Sequence, residues 1–136
     1  MTAKVATRRF DQLFLWATAL VFLAFGLWGL LAPGQMMARF GVALTDRAGK
    51  TAIRATYGGF LFGGGVLMAY CAMASGRLRF GLRVVLVLSG ATLLARVMGM
   101  LVDRSASAYH LTYASREIAG VLISGARLLG EDAPRA

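Results

Sequence analysis

Residues 13–32 and 55–74 are two runs of twenty residues without a single charge. A run of that length matches the ~20 apolar residues needed to cross the hydrocarbon of a bilayer as a helix. Lipid offers no partners to backbone polar groups, so such a segment has to satisfy its N–H and C=O groups within itself, and the α-helix does this. Residues 82–102 repeat the pattern, interrupted only by Arg83 and Arg96. Residues 111–129 form a fourth and weaker candidate. They carry Arg116, Glu117 and Arg127, so this helix inserts only if its polar face is buried against partners. With 58% hydrophobic and 15% charged residues, the composition is that of an integral membrane protein. The expected fold is an all-α, antiparallel four-helix membrane bundle in one domain, 1–136. Its spans cover about 11–32, 50–74, 80–102 and 109–129, with an interfacial connector at 34–48 and no room for a separate soluble domain.

The flanks of these runs agree. Trp16 and Trp28 stand near the ends of the first run as aromatic anchors, and Pro33-Gly34 closes it. The run is long for a signal peptide and no small-x-small cleavage site follows it; Arg8-Arg9 followed by Phe10 is a poor twin-arginine match, so a retained span is expected. In the connector, Met36, Met37 and Phe40 are spaced to make one apolar face of a short helix lying in the interface, and Thr45 or Asp46 is a candidate N-cap for the second span. Residues 75–79 make a tight basic turn, Ser105 and Ser107 are cap candidates in the next turn, and the polar tail 130–136 is expected to fray.

The net charge of +9 would suggest nucleic acid in a soluble protein, but these basic residues are scattered among inter-span loops. They serve topology and attraction to anionic lipid instead, and no nucleic-acid partner is expected. With four spans, Lys4, Arg8, Arg9, Arg77, Arg79, Arg83, Arg127 and Arg135 share one side, against Arg39, Arg47, Lys50 and Arg104 on the other. That bias places both termini in the cytoplasm. Thirteen arginines against two lysines hint at a high-GC bacterial genome, and the expected location is a bacterial inner membrane.

The second run contains Gly58, Gly59, Gly63, Gly64 and Gly65. No strand precedes them and no Lys-Ser/Thr follows, so they are not a phosphate loop. Ala55, Gly59 and Gly63 recur every four residues as a small-xxx-small ridge, which lets helix backbones approach closely in lipid. Ala91, Ala95 and Gly99 make a second ridge, the best candidate to receive the first. Gly58, Gly59, Gly63 and Gly99 are accordingly expected to be helix-packing positions.

Charges inside spans are costly, about 2.5–3.5 kcal/mol each on the insertion scale, and they mark candidate sites. Arg96 and Glu117 are equidistant from the centre of the third turn, so antiparallel neighbouring helices set them at equal depth. At 1.5 Å per residue, each lies about 9 Å inside its expected helix end. Arg96, Gly99 and Asp103 fall on one helical face. Arg54, with Tyr57 one turn on, enters from the same side, and Tyr113 sits near the start of the fourth span. Two readings follow: an Arg96–Glu117 clasp that locks two helices, or a polar pocket walled by Arg54, Tyr57, Arg96, Asp103, Tyr113 and Glu117. The arginine excess points the second reading toward a small anionic or carbonyl-bearing ligand.

Cys71 is the only cysteine, so no internal disulfide is available, and His110, the only histidine, reads as an interfacial polar residue and not a metal ligand. No catalytic constellation, metal cluster or cofactor fingerprint is present, so no catalytic residue and no cofactor is assigned and an enzyme is the less favoured class.

Arg54-Ala55-Thr56-Tyr57-Gly58-Gly59 with Gly63 and Gly65, then Ala95-Arg96 with Gly99 and Asp103, then Arg116-Glu117, resembles the bacterial domain-of-unknown-function 4345 family over spans two to four. The resemblance implies a small four-helix inner-membrane protein, broadly similar to DoxX-like proteins, with a remote link to quinone-dependent redox chemistry and no assigned activity. Where that family typically carries a glycine after the aspartate, this chain has Arg104. The leading expectation is a non-enzymatic membrane protein whose polar pocket, near the non-cytoplasmic face, takes a lipid, quinone or other small molecule. The alternatives are a structural accessory subunit of a larger membrane complex or homo-oligomer, and a DoxX-like redox component.

Overall fold

The computed structural model describes residues 2–104 and 107–132, with side chains described for 5–104 and 107–130. Ser105, the tail beyond Asp132 and the readings placed on them lie outside this set. The described residues are mostly helical, without strands. They comprise α1 (Thr2–Leu31), α2 (Pro33–Ala38), α3 (Arg47–Ile53), a π-helical stretch (Arg54–Gly59), α4 (Phe60–Ala72), a 3₁₀ turn (Ser75–Arg77), α5 (Leu78–Val102) and α6 (Ala108–Asp132). Three helical stretches are long and apolar enough to cross a membrane: Val5–Leu31, Arg47–Ala72 and Ser75–Val102. The fourth expected span exists as a helix of sufficient length, α6, but its charges keep it out of that set. The chain divides into two compact units, Met1–Leu78 and Arg79–Ala136.

In the first unit, α1 and α4 form an antiparallel hairpin. The buried stripe of α1 runs through Asp11, Leu15, Ala19, Gly26 and Gly29, spaced at three, four and seven residues as one helical face requires. Opposite it, α4 buries Gly65, Met68, Cys71 and Ala72, and the π-helical stretch buries Gly58. The two backbones meet almost directly. A Cβ on Gly26 would stand 2.6 Å from Cα of Phe62, one on Gly58 would stand 2.8 Å from the Leu30 nitrogen, and one on Gly65 would stand 2.6 Å from Leu23 Cγ. No side chain fits there.

Within the first unit, the close contacts fall on Gly26, Gly58 and Gly65, and the glycines of the second span that make them are received by α1. Nothing lies within 4 Å of a Cβ on Gly63, and one on Gly59 meets its own helix, at Arg54 O. The reason is the π-helical stretch. An every-fourth-residue ridge assumes α geometry throughout, and wider turns over 54–59 rotate the residues that follow.

The connector also differs. Its helix α2 has Pro33 in its first turn, and Met36 and Met37 are buried within the protein instead of facing lipid, while Phe40 and Val42 stay exposed. Asp46 is the N-cap of α3, accepting from the Gly49 N–H at 2.5 Å. α6 begins one residue before the expected span, and Ser107 caps it weakly through the His110 N–H, 3.4 Å away.

The second unit is likewise an antiparallel hairpin. Gly120 lies against Ser89, Gly90 against Val121 and Gly125 against Leu86, so positions along α5 and α6 run in opposite directions. Small residues again sit where the helices approach.

Candidate functional site

In the second unit, the α5–α6 hairpin brings Arg96 and Glu117 together as a two-pronged pair. Arg96 Nε donates to Glu117 Oε2 at 2.9 Å and Nη2 donates to Oε1 at 2.6 Å. The planar guanidinium matches the carboxylate at two points, the strong geometry for such pairs. The side chains are 21% and 12% exposed, so the pair is largely withdrawn from its surroundings. The Tyr113 ring lies 5.4 Å from the Arg96 guanidinium and 5.4 Å from that of Arg116, and Tyr109 packs on Tyr113 with ring centres 4.6 Å apart. The equal-depth argument from the sequence thus agrees with the contact. Because α6 starts at Ala108, Glu117 sits about 14 Å along it, at 1.5 Å per residue, and not the 9 Å expected.

Beside this pair is a recess of about 360 Å³ lined by Ala95, Arg96, Gly99, Met100, Asp103 and His110. Two of the expected wall residues, Arg96 and Asp103, line it together with Gly99, which was expected as a packing position and is what leaves the space open. Glu117 and Tyr113 stand behind Arg96 without lining the recess. His110, read from sequence as an incidental polar residue, is part of the lining, and its Nδ1 is buried without a hydrogen-bond partner among the described residues. A lone histidine has no sequence signature; only its place on the first turn of α6 gives it a neighbourhood.

The α5 helix stops beside this recess. Its end is marked by the Asp103 N–H bonding to Gly99 O at 2.8 Å, and Arg104 follows at φ 48°. That left-handed conformation suits glycine and costs a side-chain-bearing residue about 1–2 kcal/mol.

Arg54 and Tyr57 belong to the first unit, where Arg54 has its own task. Its Nε donates to Leu30 O at 3.0 Å. Leu30 lies in the last turn of α1, where carbonyls lack helical partners and the helix dipole is negative, so a guanidinium satisfies both. The same device recurs at the end of α4. Arg77 Nη1 donates to Tyr70 O at 3.2 Å while its guanidinium lies 3.8 Å over the Tyr70 ring, and Gln12 Nε2 donates to Ala72 O at 2.8 Å. Tyr57, next on the π-helical stretch, is 46% exposed. No group of three or more His, Cys, Asp or Glu that could hold a metal occurs among the described residues.

These features define a class: an all-helical protein with several helices of membrane-spanning length and an ionic clasp joining two of them. Its family follows from comparison. A family model described as a domain of unknown function (DUF4345) matches residues 10–126, and the chain belongs to that family. Neither a curated protein nor a solved structure matches it.

Proposed function

We propose that both hairpins insert, giving a four-span inner-membrane protein with cytoplasmic termini, and that the recess beside Arg96 receives the polar head of a membrane amphiphile. Insertion of α6 is supported by its faces. Leu111, Ile118, Leu122 and Leu129 form one exposed apolar stripe, whereas Glu117, Gly120 and Ser124 turn inward. The observation that carries the ligand reading is the recess itself. Its volume is within the range of small-molecule sites, and it combines polar groups, Arg96, Asp103 and His110, with the apolar Ala95 and Met100. The Arg96–Glu117 clasp holds the wall rigid and the amphiphile's chain lies along the apolar flank of α5.

Filling the recess tests this. Gly99→Leu projects into the opening without meeting another helix. Native mass spectrometry of the purified protein is expected to show a co-purifying amphiphile on the wild type and its loss from Gly99→Leu. An unchanged lipid complement on the folded variant would sink the proposal.

A second reading, a subunit that packs against another copy or a partner helix, is favoured by one observation: Ala55, Gly59 and Gly63 are exposed small residues, and nothing lies within 4 Å of a Cβ on Gly63. Gly63→Leu would then break the assembly in detergent; an unaltered oligomeric state counts against it.

A further inference from the structure

The chemistry of the recess narrows what it holds, if the reading of it as an amphiphile site stands. Arg96 contributes little net charge, because Glu117 engages it at two points. Two polar groups of the lining remain unmatched among the described residues. The Asp103 carboxylate makes no side-chain hydrogen bond or ion pair, and His110 Nδ1 is buried without a partner. Asp103 accepts hydrogen bonds only, and Nδ1 accepts when the proton is on Nε2. Arg104 and Arg116 do not line the recess. Once the clasp cancels, the lining carries one negative charge, that of Asp103. An anion would face Asp103 with no spare cation. A quaternary ammonium has no N–H to donate, and no aromatic ring other than the imidazole of His110 is in the lining to compensate.

We propose that the recess holds a primary ammonium group, with Asp103 as its counter-ion. An aminophospholipid and a free short amine share this chemistry, and competition separates them.

The full chain in nanodiscs containing equal phosphatidylethanolamine, phosphatidylcholine and phosphatidylglycerol of matched acyl chains is read by native mass spectrometry. Ethanolamine retention is expected to exceed choline and glycerol retention by roughly tenfold, the scale of one hydrogen bond to a charged group. Asp103→Asn should remove the preference and Asp103→Glu should keep it, which separates loss of charge from loss of fold. Added free ethanolamine that displaces the lipid identifies the amine alone as sufficient; resistance to displacement identifies the lipid. Equal retention of the three headgroups by the wild type, with all of them lost from Gly99→Leu, overturns the ammonium assignment and leaves the amphiphile reading intact. No effect of Gly99→Leu on any lipid overturns both.

Discussion

At the scale of single residues, the charges placed in apolar helices have different tasks. Arg54 closes the end of α1, while Arg96 and Glu117 close on each other. Removing one partner of the pair strands the other, so Arg96→Ala and Glu117→Ala are each expected to cost about 2–3 kcal/mol, near the insertion cost of an unpaired charge. The double variant should cost less than the two together by about 1–3 kcal/mol, read by denaturant unfolding in micelles, and strict additivity would refute the coupling. Arg104 gives the opposite sign. Its left-handed backbone is strained for arginine, so Arg104→Gly is expected to raise stability by about 1 kcal/mol. A lower unfolding midpoint would show that the arginine side chain contributes more than the strain removes.

At the scale of elements, backbone contact decides which glycines matter. Gly26 faces the backbone of Phe62, which cannot move aside as a flexible side chain can. Gly26→Ala is expected to destabilise the α1–α4 hairpin by about 1–3 kcal/mol or more, as overpacking does. Gly63→Ala should be neutral or stabilise by up to about 1 kcal/mol, because it adds helix propensity in open space. Thermal unfolding of the pair checks both, and equal effects would contradict the packing described. The existence and approximate limits of α1, α4, α5 and α6 were legible because uncharged runs, Pro33 and the basic turn at 75–79 are local signals. The ridge was not. Whether Gly59 or Gly58 faces a neighbour depends on the π-helical turns at 54–59, and no local pattern in Arg-Ala-Thr-Tyr-Gly-Gly announces them.

At the scale of the whole molecule, the four-span reading makes a topological prediction. With Cys71 replaced by serine, single cysteines at Val42 and Ser107 should react with an impermeant maleimide from outside intact cells. A cysteine at Gly76 should react only after the membrane is opened. Labelling of position 107 from the same side as 76 would show that α5 does not cross, and labelling of a cysteine at Gly130 from the same side as 107 would show that α6 does not. The site was partly legible at this scale. The match in depth of Arg96 and Glu117 follows from antiparallel helices and a short turn, and Asp103 and Gly99 follow from helical spacing alone. His110 was not legible, because a recess is made by two helices together and has no signature in either.

The sequence alone determined that this chain is helical and apolar enough to cross a membrane, because the requirement to satisfy backbone groups in lipid acts on every segment separately. It also set Arg96 and Glu117 at matching depth, since helix rise and turn length fix where each lies. The tertiary structure decided which glycines touch, that Arg54 caps α1, and that Asp103 and His110 share a recess with Arg96. Those outcomes depend on the rotation of each helix about its own axis. A π-helical stretch, a cap and close backbone contacts set that rotation, and they act between segments far apart in the chain.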